Sequence, residues 1–169
     1  MNELHLAYLS LGSNIEPEIN LIRSIQLLQH HGKIETNSNA WESESVGAPG
    51  PNYLNACLSF RTLLDQGTLK EKVLLPIEAE LGRRRSENKY APRTMDIDIV
   101  IFDDRSCDNR YWEQAFVVIP LAEIYPDFPN PLTSEPIRQT TTRLRSNFWM
   151  EARPDVLSQT YSNKSQNQN

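Results

Sequence analysis

The stretch that decides the fold is Pro92-Arg93-Thr94-Met95-Asp96-Ile97-Asp98-Ile99-Val100-Ile101-Phe102. From Met95 onward its residues alternate at the period of two that is typical of a pleated β-strand. Asp96 and Asp98 therefore point to the same side of the predicted strand, with Cα atoms about 6.5–7 Å apart. The isoleucines that follow each aspartate point to the opposite side.

Two aspartates on one face of a strand need a physical reason. Aspartate is disfavoured in strands, and two like charges repel unless a cation lies between them. Mg²⁺ binds carboxylate and phosphate oxygens, so the pair suits two such ions over a transferring phosphate. The alternative is the solvated face of a half-buried strand, which is the commoner origin of an isolated Asp-x-Asp. Five upstream cations favour the phosphate interpretation: Arg83, Arg84, Arg85, Lys89 and Arg93.

Length and composition predict one soluble domain with a core of its own. The chain has 169 residues, of which 38% are hydrophobic and 23% charged, and its net charge is −5. A pI of about 5.2 argues against a nucleic-acid partner, although the basic residues cluster at 83–93 and 138–153, where they can form a local anion site. The apolar stretches are too short to cross a bilayer, so no membrane partner is expected.

Two further features predict a reduced cytoplasmic protein. The N-terminus lacks the basic and long apolar regions of a signal peptide. Cys57 lies in an apolar run and Cys107 in a polar loop, and their spacing indicates neither a disulfide nor a zinc site.

The order of predicted elements is that of a ferredoxin-like α+β fold, β-α-β-β-α-β, with a mostly antiparallel sheet. These elements are a strand at 5–11, a helix from Pro17 to Gly32, strands at 34–44 and 53–63, a second helix from a Thr68–Glu71 capping box to Gly82, and the aspartate strand at 95–102. Pro76 is expected to kink or divide the second helix.

The remaining segments complete a single predicted domain at 1–157. An apolar segment and a Pro-rich turn occupy 116–131, and a short helix is expected within 134–150. The Ser-, Asn- and Gln-rich tail at 158–169 is predicted to be disordered. No Gly-rich phosphate loop and no Ser/His/Asp order is present.

Four segments carry a resemblance to a known family, the 6-hydroxymethyl-7,8-dihydropterin pyrophosphokinases (HPPK) of folate biosynthesis. They are Tyr8-Leu9-Ser10-Leu11-Gly12-Ser13-Asn14; Tyr53-Leu54-Asn55-Ala56; Ile77–Arg85 followed by Tyr90–Asp98; and Phe116–Pro126. The Pro-Arg-Thr-x-Asp-x-Asp block is the most specific of them. The resemblance implies an HPPK-like three-layer α/β/α fold. It also implies transfer of diphosphate from ATP to the hydroxymethyl group of the reduced pterin, with release of AMP.

The resemblance also implies a set of site residues. Asp96 and Asp98 would bind two Mg²⁺ ions and act in catalysis with Arg83 and Arg93. The implied ATP contacts are Glu78, Arg83, Arg85, Arg93, Ile99 and Arg110. The implied pterin contacts are Ser43, Val46, Tyr53, Asn55, Tyr90 and Phe116, with Phe116 stacking on the ring and Asn55 offering a donor and an acceptor to its edge. The residues alone leave Glu78 equally open as part of an exposed helix face.

One segment departs from the family pattern. Family members carry a longer, mobile loop with a Pro-His motif where this chain has only Asp103–Ala115, which contains no proline and no histidine. Arg105 and Arg110 are candidate replacement cations, and Trp112 is a candidate cover for the base. Leu75 also replaces an expected glutamine.

The short segment keeps a second hypothesis open, a non-catalytic homologue that binds pterin or nucleotide. A third class, an RNA-binding ferredoxin-like module, is disfavoured by the acidic pI. On the leading hypothesis the partners are the small molecules ATP and reduced pterin, and the protein is a monomer.

Overall fold

The structure is a computed structural model, and it describes residues 3–158. The predicted disordered tail at 158–169 lies, apart from its first residue, outside the described residues. The described elements are β1 (His5–Ser13), α1 (Pro17–Leu28), β2 (Lys33–Asn37), β3 (Ala40–Ser43), β4 (Tyr53–Thr62), α2 (Gln66–Leu69), α3 (Leu75–Glu80), β5 (Asp96–Phe102), β6 (Arg105–Ser106), α4 (Ala115–Ile124), α5 (Ile137–Asn147), β7 (Met150–Arg153) and α6 (Pro154–Leu157).

The strands form one antiparallel sheet, which confirms the predicted α+β fold. The spatial order is β6-β5-β1-β4-β3-β7, and β2 also pairs with β4. The order β5-β1-β4 with β2 and β3 outside is the arrangement that β-α-β-β-α-β connectivity produces. None of the helices formed by residues 3–158 combines the length and apolar character needed to span a bilayer.

The predicted second strand at 34–44 is two strands. Ser38 interrupts it, because the Ser38 Oγ accepts the N–H of Cys57 (2.9 Å) while the Ser38 N–H donates to the Cys57 carbonyl (2.8 Å). A side-chain hydroxyl thus replaces one rung of the ladder. The apolar segment at 116–131 contains most of helix α4. The sequence left its type open, because a short, wholly apolar run does not distinguish a buried helix from a buried strand.

The second helical region starts earlier than its capping box predicted. Asp65 is the N-cap, and its carboxylate accepts from the N–H (2.9 Å) and the hydroxyl (2.8 Å) of Thr68. The prediction of a Thr68–Glu71 capping box is therefore wrong. Pro76 divides the helix as predicted: a π-helical turn at Lys70–Leu74 precedes it, and the proline occupies the first turn of α3.

Helices cover both faces of the sheet. The α1/α3 face buries Leu9 and Leu11, and the α4/α5 face buries Tyr8, Cys57 and Trp112. The predicted core position of Cys57 is confirmed, and both cysteines are free.

A register shift alters the predicted alternation of β5 after Ile99. Tyr8 pairs with Ile101 and Leu9 with Ile99, so Val100 is the extra residue of a bulge. Ile101 consequently packs on the α4/α5 face and Phe102 on the α1/α3 face. The alternation holds for 96–99, which is the part that carries the aspartates.

Candidate active site

A row of three residues crosses the sheet on its α4/α5 face. Gly12 of β1 lies directly opposite Asn55 of β4 on one side and Asp96 of β5 on the other. Residues opposite each other project to the same face, and two strand spacings put Asn55 and Asp96 about 10 Å apart. A Cβ on Gly12 would lie 3.3 Å from Asn55 Oδ1. The missing side chain leaves a floor between an amide and a carboxylate, which we call the Gly12 floor.

Neighbouring groups orient the amide of Asn55. The residue is 3% exposed, and its Nδ2 donates to Ser43 Oγ (2.8 Å) and to the Trp41 carbonyl (3.2 Å). Its Oδ1 faces the Gly12 floor. Ser43 and Trp41 bind the donor within the protein, and the expectation that this amide offers a donor as well as an acceptor to a pterin stays a prediction. Ser43 acts on the floor through Asn55.

Aromatic residues surround the Gly12 floor at different depths. Tyr53 is half-buried, and its Cδ1 would lie 3.9 Å from a Cβ on Gly12. Burial raises the pKa of Tyr53, so the phenol stays neutral at pH 7. Val46 and Tyr90 are 63% and 44% exposed, and each lies on a loop.

Phe116 lies in the first turn of α4, half-buried against the cluster on that face. The next residue, Val117, accepts a hydrogen bond from Cys57 Sγ (3.6 Å), which places this turn over β4 two residues from Asn55. A ring at this position can approach the Gly12 floor from above. Its stacking on a pterin stays a prediction.

A charged cluster adjoins the other end of the floor. Arg83 contacts Asp96 Oδ1 (2.7 Å) and Glu78 Oε1 (2.8 Å), and Arg93 binds Asp96 Oδ2. Glu78 is 4% exposed, so the alternative of an exposed helix face is wrong. Its Oε1 also accepts the N–H of Ile97 (2.8 Å), and burial raises its pKa. Glu78 thus fixes α3 to β5 beneath the aspartates.

Asp98 is electrostatically less well compensated than Asp96. Burial first, then the charges of Asp96 and Glu78, raise the pKa of Asp98 to about 6. Within residues 3–158 no group donates a hydrogen bond to its carboxylate, whereas two arginines bind Asp96. A carboxylate held against two others without a donor is a position that a divalent cation would stabilise.

The donor set fits Mg²⁺ in particular. Among the described residues no group of three or more Asp, Glu, His or Cys side chains is arranged to hold a metal. Mg²⁺ is commonly bound by one or two carboxylates together with substrate phosphates and water. A carboxylate has about four lone-pair sites, so Asp96 can keep its arginines while it binds an ion.

The side chains of two expected ATP residues lie outside the charged cluster. Arg85 is exposed like Arg84, although its charge still acts on Glu78. The side chain of Ile99 is buried on the α1/α3 face, opposite the aspartates. Only its backbone is available to a ligand on the α4/α5 face.

The short segment 103–115 is folded onto the α4/α5 face. Asp103 and Asp104 (φ 46° and 61°) make the tight turn between β5 and β6. Trp112 is fully buried, donates to Ser106 Oγ (2.8 Å) and stacks on Phe128. The expectation that Trp112 covers the base is therefore wrong.

The charge of Asp98 acts on the cation and the phenol of the same segment. The side chain of Arg110 is 83% exposed and paired with Asp108 (2.6 Å), and Arg105 is also exposed. Burial and the charge of Asp98 raise the pKa of the half-buried Tyr111. Sequence reasoning missed Tyr111, because a single tyrosine in an unaligned loop carries no pattern.

Comparison with known proteins places the geometry in a family. The sequence model described as 7,8-dihydro-6-hydroxymethylpterin-pyrophosphokinase (HPPK) matches residues 8–126. The 2-amino-4-hydroxy-6-hydroxymethyldihydropteridine pyrophosphokinase of Synechocystis sp. is 35% identical over 148 residues, which cover 81% of this chain and 75% of that protein. The protein of the same name in Bacillus subtilis is 33% identical and covers 83% of this chain and 90% of its own.

A solved structure shares the fold. The crystal structure of wild-type Plasmodium falciparum HPPK-DHPS with SDX-DHP superposes with a TM-score of 0.64 at 13% identity. The match covers 87% of this chain but only 45% of that longer one, so this chain spans less than half of it.

Proposed function

This chain belongs to the HPPK family, and from that premise we propose which residues of its site bind the pterin and which act on the phosphates. It transfers diphosphate from ATP to the hydroxymethyl group of 6-hydroxymethyl-7,8-dihydropterin, giving AMP and the pterin diphosphate of folate biosynthesis. The observation that carries the proposal is the row Asn55–Gly12–Asp96, which puts a flat binding surface next to a pair of carboxylates.

The pterin end of the site binds and orients. A pterin laid on the Gly12 floor donates a ring N–H to Asn55 Oδ1, with Tyr53 beside it and Phe116 over its free face. Val46 and Tyr90 close the rim from their loops. This pose points the hydroxymethyl group toward Asp96, so that its oxygen approaches the phosphate in line.

The phosphate end of the site supplies charge. Asp96 and Asp98 would hold Mg²⁺, of which we propose two ions, and bound Mg²⁺ would supply positive charge for the phosphates and the attacking hydroxyl. Arg83 and Arg93 stabilise the charge that develops on the transferred group, as Arg85 and Arg110 do from the rim. Glu78 and the backbone of Ile99 complete the nucleotide side.

The short segment supports an active enzyme. The charge of Asp98 acts on both Arg110 and Tyr111 without the longer loop, and Arg110 can exchange its partner Asp108 for a phosphate. An ion pair at the surface contributes little to stability, so the exchange costs little.

The direct test measures products. ATP, 6-hydroxymethyl-7,8-dihydropterin and MgCl₂ are mixed with the protein, and AMP and pterin diphosphate are quantified by chromatography. We expect both in equal amounts, and none when EDTA exceeds Mg²⁺. Calorimetric binding of the pterin without AMP release would instead identify a non-catalytic homologue.

Three further expectations accompany this proposal. We propose that 1–157 is one domain, that the protein is a monomer, and that it acts in the cytoplasm. Light scattering after size exclusion tests the second of these, with a mass of 19.5 kDa expected.

A further inference from the structure

Asn14 follows β1 and is 5% exposed. Its side-chain Oδ1 accepts the N–H of Arg93 (2.8 Å), and its own N–H donates to the carbonyl of Arg93 (3.1 Å). One residue thus satisfies both backbone polar groups of Arg93. Among residues 3–158 no other group binds that backbone.

The same amide reaches a second segment. Its Nδ2 donates to the carbonyl of Pro51 (3.4 Å), two residues before Tyr53 on the loop 44–52 that precedes β4. Asn14 therefore connects the loop on the pterin side with the loop on the phosphate side, both of which lack regular structure.

A second contact joins these two loops at their tips. The ring of Tyr90 lies so close to Gly47 that a Cβ there would be 2.1 Å from Tyr90 Cε1, and Gly47 has φ +85°. The tip contact involves exposed residues, whereas the other contact runs through the buried side chain of Asn14. The buried contact is the one that can hold a fixed geometry.

We propose that Asn14 is a positioning residue, which sets the place of Arg93 relative to Asp96 and couples it to the pterin loop. This inference rests on the proposed function. The guanidinium of Arg93 binds Asp96 Oδ2 and the carbonyl of Lys89 (2.8 Å), but both contacts leave from a flexible side chain. The Asn14 bonds determine where that side chain starts.

Asn14→Ala removes the bonds to Arg93 N–H and Pro51 together. A displacement of a charged group by about 1 Å can cost a hundredfold in rate, so we expect kcat to fall about tenfold to a hundredfold. The KM for the pterin should rise, because the loop 44–52 loses its hydrogen bond to Asn14.

Two variants make the test specific. Asn14→Asp keeps an acceptor for the Arg93 N–H but replaces the donor to Pro51, so it should retain kcat within about threefold while the pterin KM stays raised. Asn20→Ala is the matched control: Asn20 is equally buried at 5% and donates to the Ile15 carbonyl (2.7 Å), but it contacts neither loop. It should lower the free energy of unfolding without changing kcat or KM.

Amide hydrogen exchange provides a readout that needs no activity. Without substrate, the Arg93 amide should exchange slowly in the wild type and in Asn14→Asp. In Asn14→Ala it should exchange at least tenfold faster. A wild type that forms no AMP would refute the proposed function, and the exchange data would still decide the role of Asn14. The inference is overturned if Arg93 exchange is unchanged in Asn14→Ala, or if Asn20→Ala lowers kcat as much as Asn14→Ala does.

Discussion

The two faces of β1 show how one strand serves both the core and the site. On the α1/α3 face, Ala7, Leu9 and Leu11 are at most 1% exposed. On the α4/α5 face the series runs from the aromatic Tyr8 through Ser10 to Gly12. Between its polar ends, His5 and Ser13, the first face is apolar, whereas the second changes from core to the proposed ligand surface along the same strand.

The contrast shows which residues lower the free energy of unfolding and which raise it. Asp98 and Glu78 are carboxylates whose burial raises their pKa, and an ionised group in such a place destabilises the fold. The continuous apolar face has no such cost and supplies the offsetting burial. The apolar core of the α1/α3 face and the Gly12 floor thus lie on opposite sides of the sheet, although Glu78 reaches β5 from α3. Substitutions in that core and on the floor should have separable effects.

The largest expected effect is on turnover. Asp96→Asn or Asp98→Asn preserves volume but removes a metal-binding charge, so kcat should fall by about a thousandfold or more, or ~4 kcal/mol of transition-state stabilisation. AMP formation measures this, and circular dichroism checks that the fold is kept. Turnover within tenfold of wild type would contradict the assignment of the aspartates.

The next effect belongs to the opposite face. Leu11→Ala leaves a cavity beside α1 and α3, and its free energy of unfolding should fall by about 2–5 kcal/mol. KM values for ATP and pterin, measured where the variant is fully folded, should stay within twofold. Denaturant titration gives the first quantity. A large shift in either KM would show that the two faces are not independent.

Much of this contrast was predictable from local pattern. The alternation at 96–99 put Asp96 and Asp98 on one face, and element order gave the strand arrangement, because both depend only on the period of the backbone and on chain connectivity. The family motifs then indicated Asn55 and Arg93, which the sheet and the cluster place at opposite ends of the Gly12 floor.

Tertiary contacts decided what the pattern missed. The bulge at Val100 depends on the partner strand, and the break at Ser38 depends on a hydroxyl bonding to Cys57. Trp112 is buried because Ser106 and Phe128 surround it. Asn14 lay within the matched Gly-Ser-Asn motif, but its partners are far away along the chain.

A smaller effect should appear in the pH dependence of stability without metal. Burial and like charges raise the pKa of Asp98 from 3.8 to about 6, so the proton stabilises the folded state. That stabilisation is complete below about pH 4 and is lost as pH rises through 6. Asp98→Asn should therefore match wild type at pH 4 and exceed its free energy of unfolding by ~2 kcal/mol at pH 7.

The difference between variant and wild type reports Asp98 together with its interactions with Asp96 and Glu78, because Asp65, Asp103 and Asp108, whose pKa values are lowered, contribute equally to both proteins. Added Mg²⁺ should stabilise wild type more than Asp98→Asn. A difference that is the same at pH 4 and pH 7 would mean that Asp98 is not held against its acidic neighbours.

The smallest effect tests the Gly12 floor itself. Gly12 has no left-handed backbone conformation, but a Cβ there would press on the Asn55 amide that Ser43 and Trp41 hold in place, so Gly12→Ala should lower the free energy of unfolding by about 1 kcal/mol. The new methyl group would contact Asn55 Oδ1 at 3.3 Å and occupy the surface proposed for the pterin. We expect the pterin KM to rise about fivefold, or ~1 kcal/mol, while the ATP KM stays unchanged. A ligand that lies between Asn55 and Asp96 would contact this methyl group directly. Equal rises in the KM for pterin and the KM for ATP would therefore show that the pterin binds elsewhere.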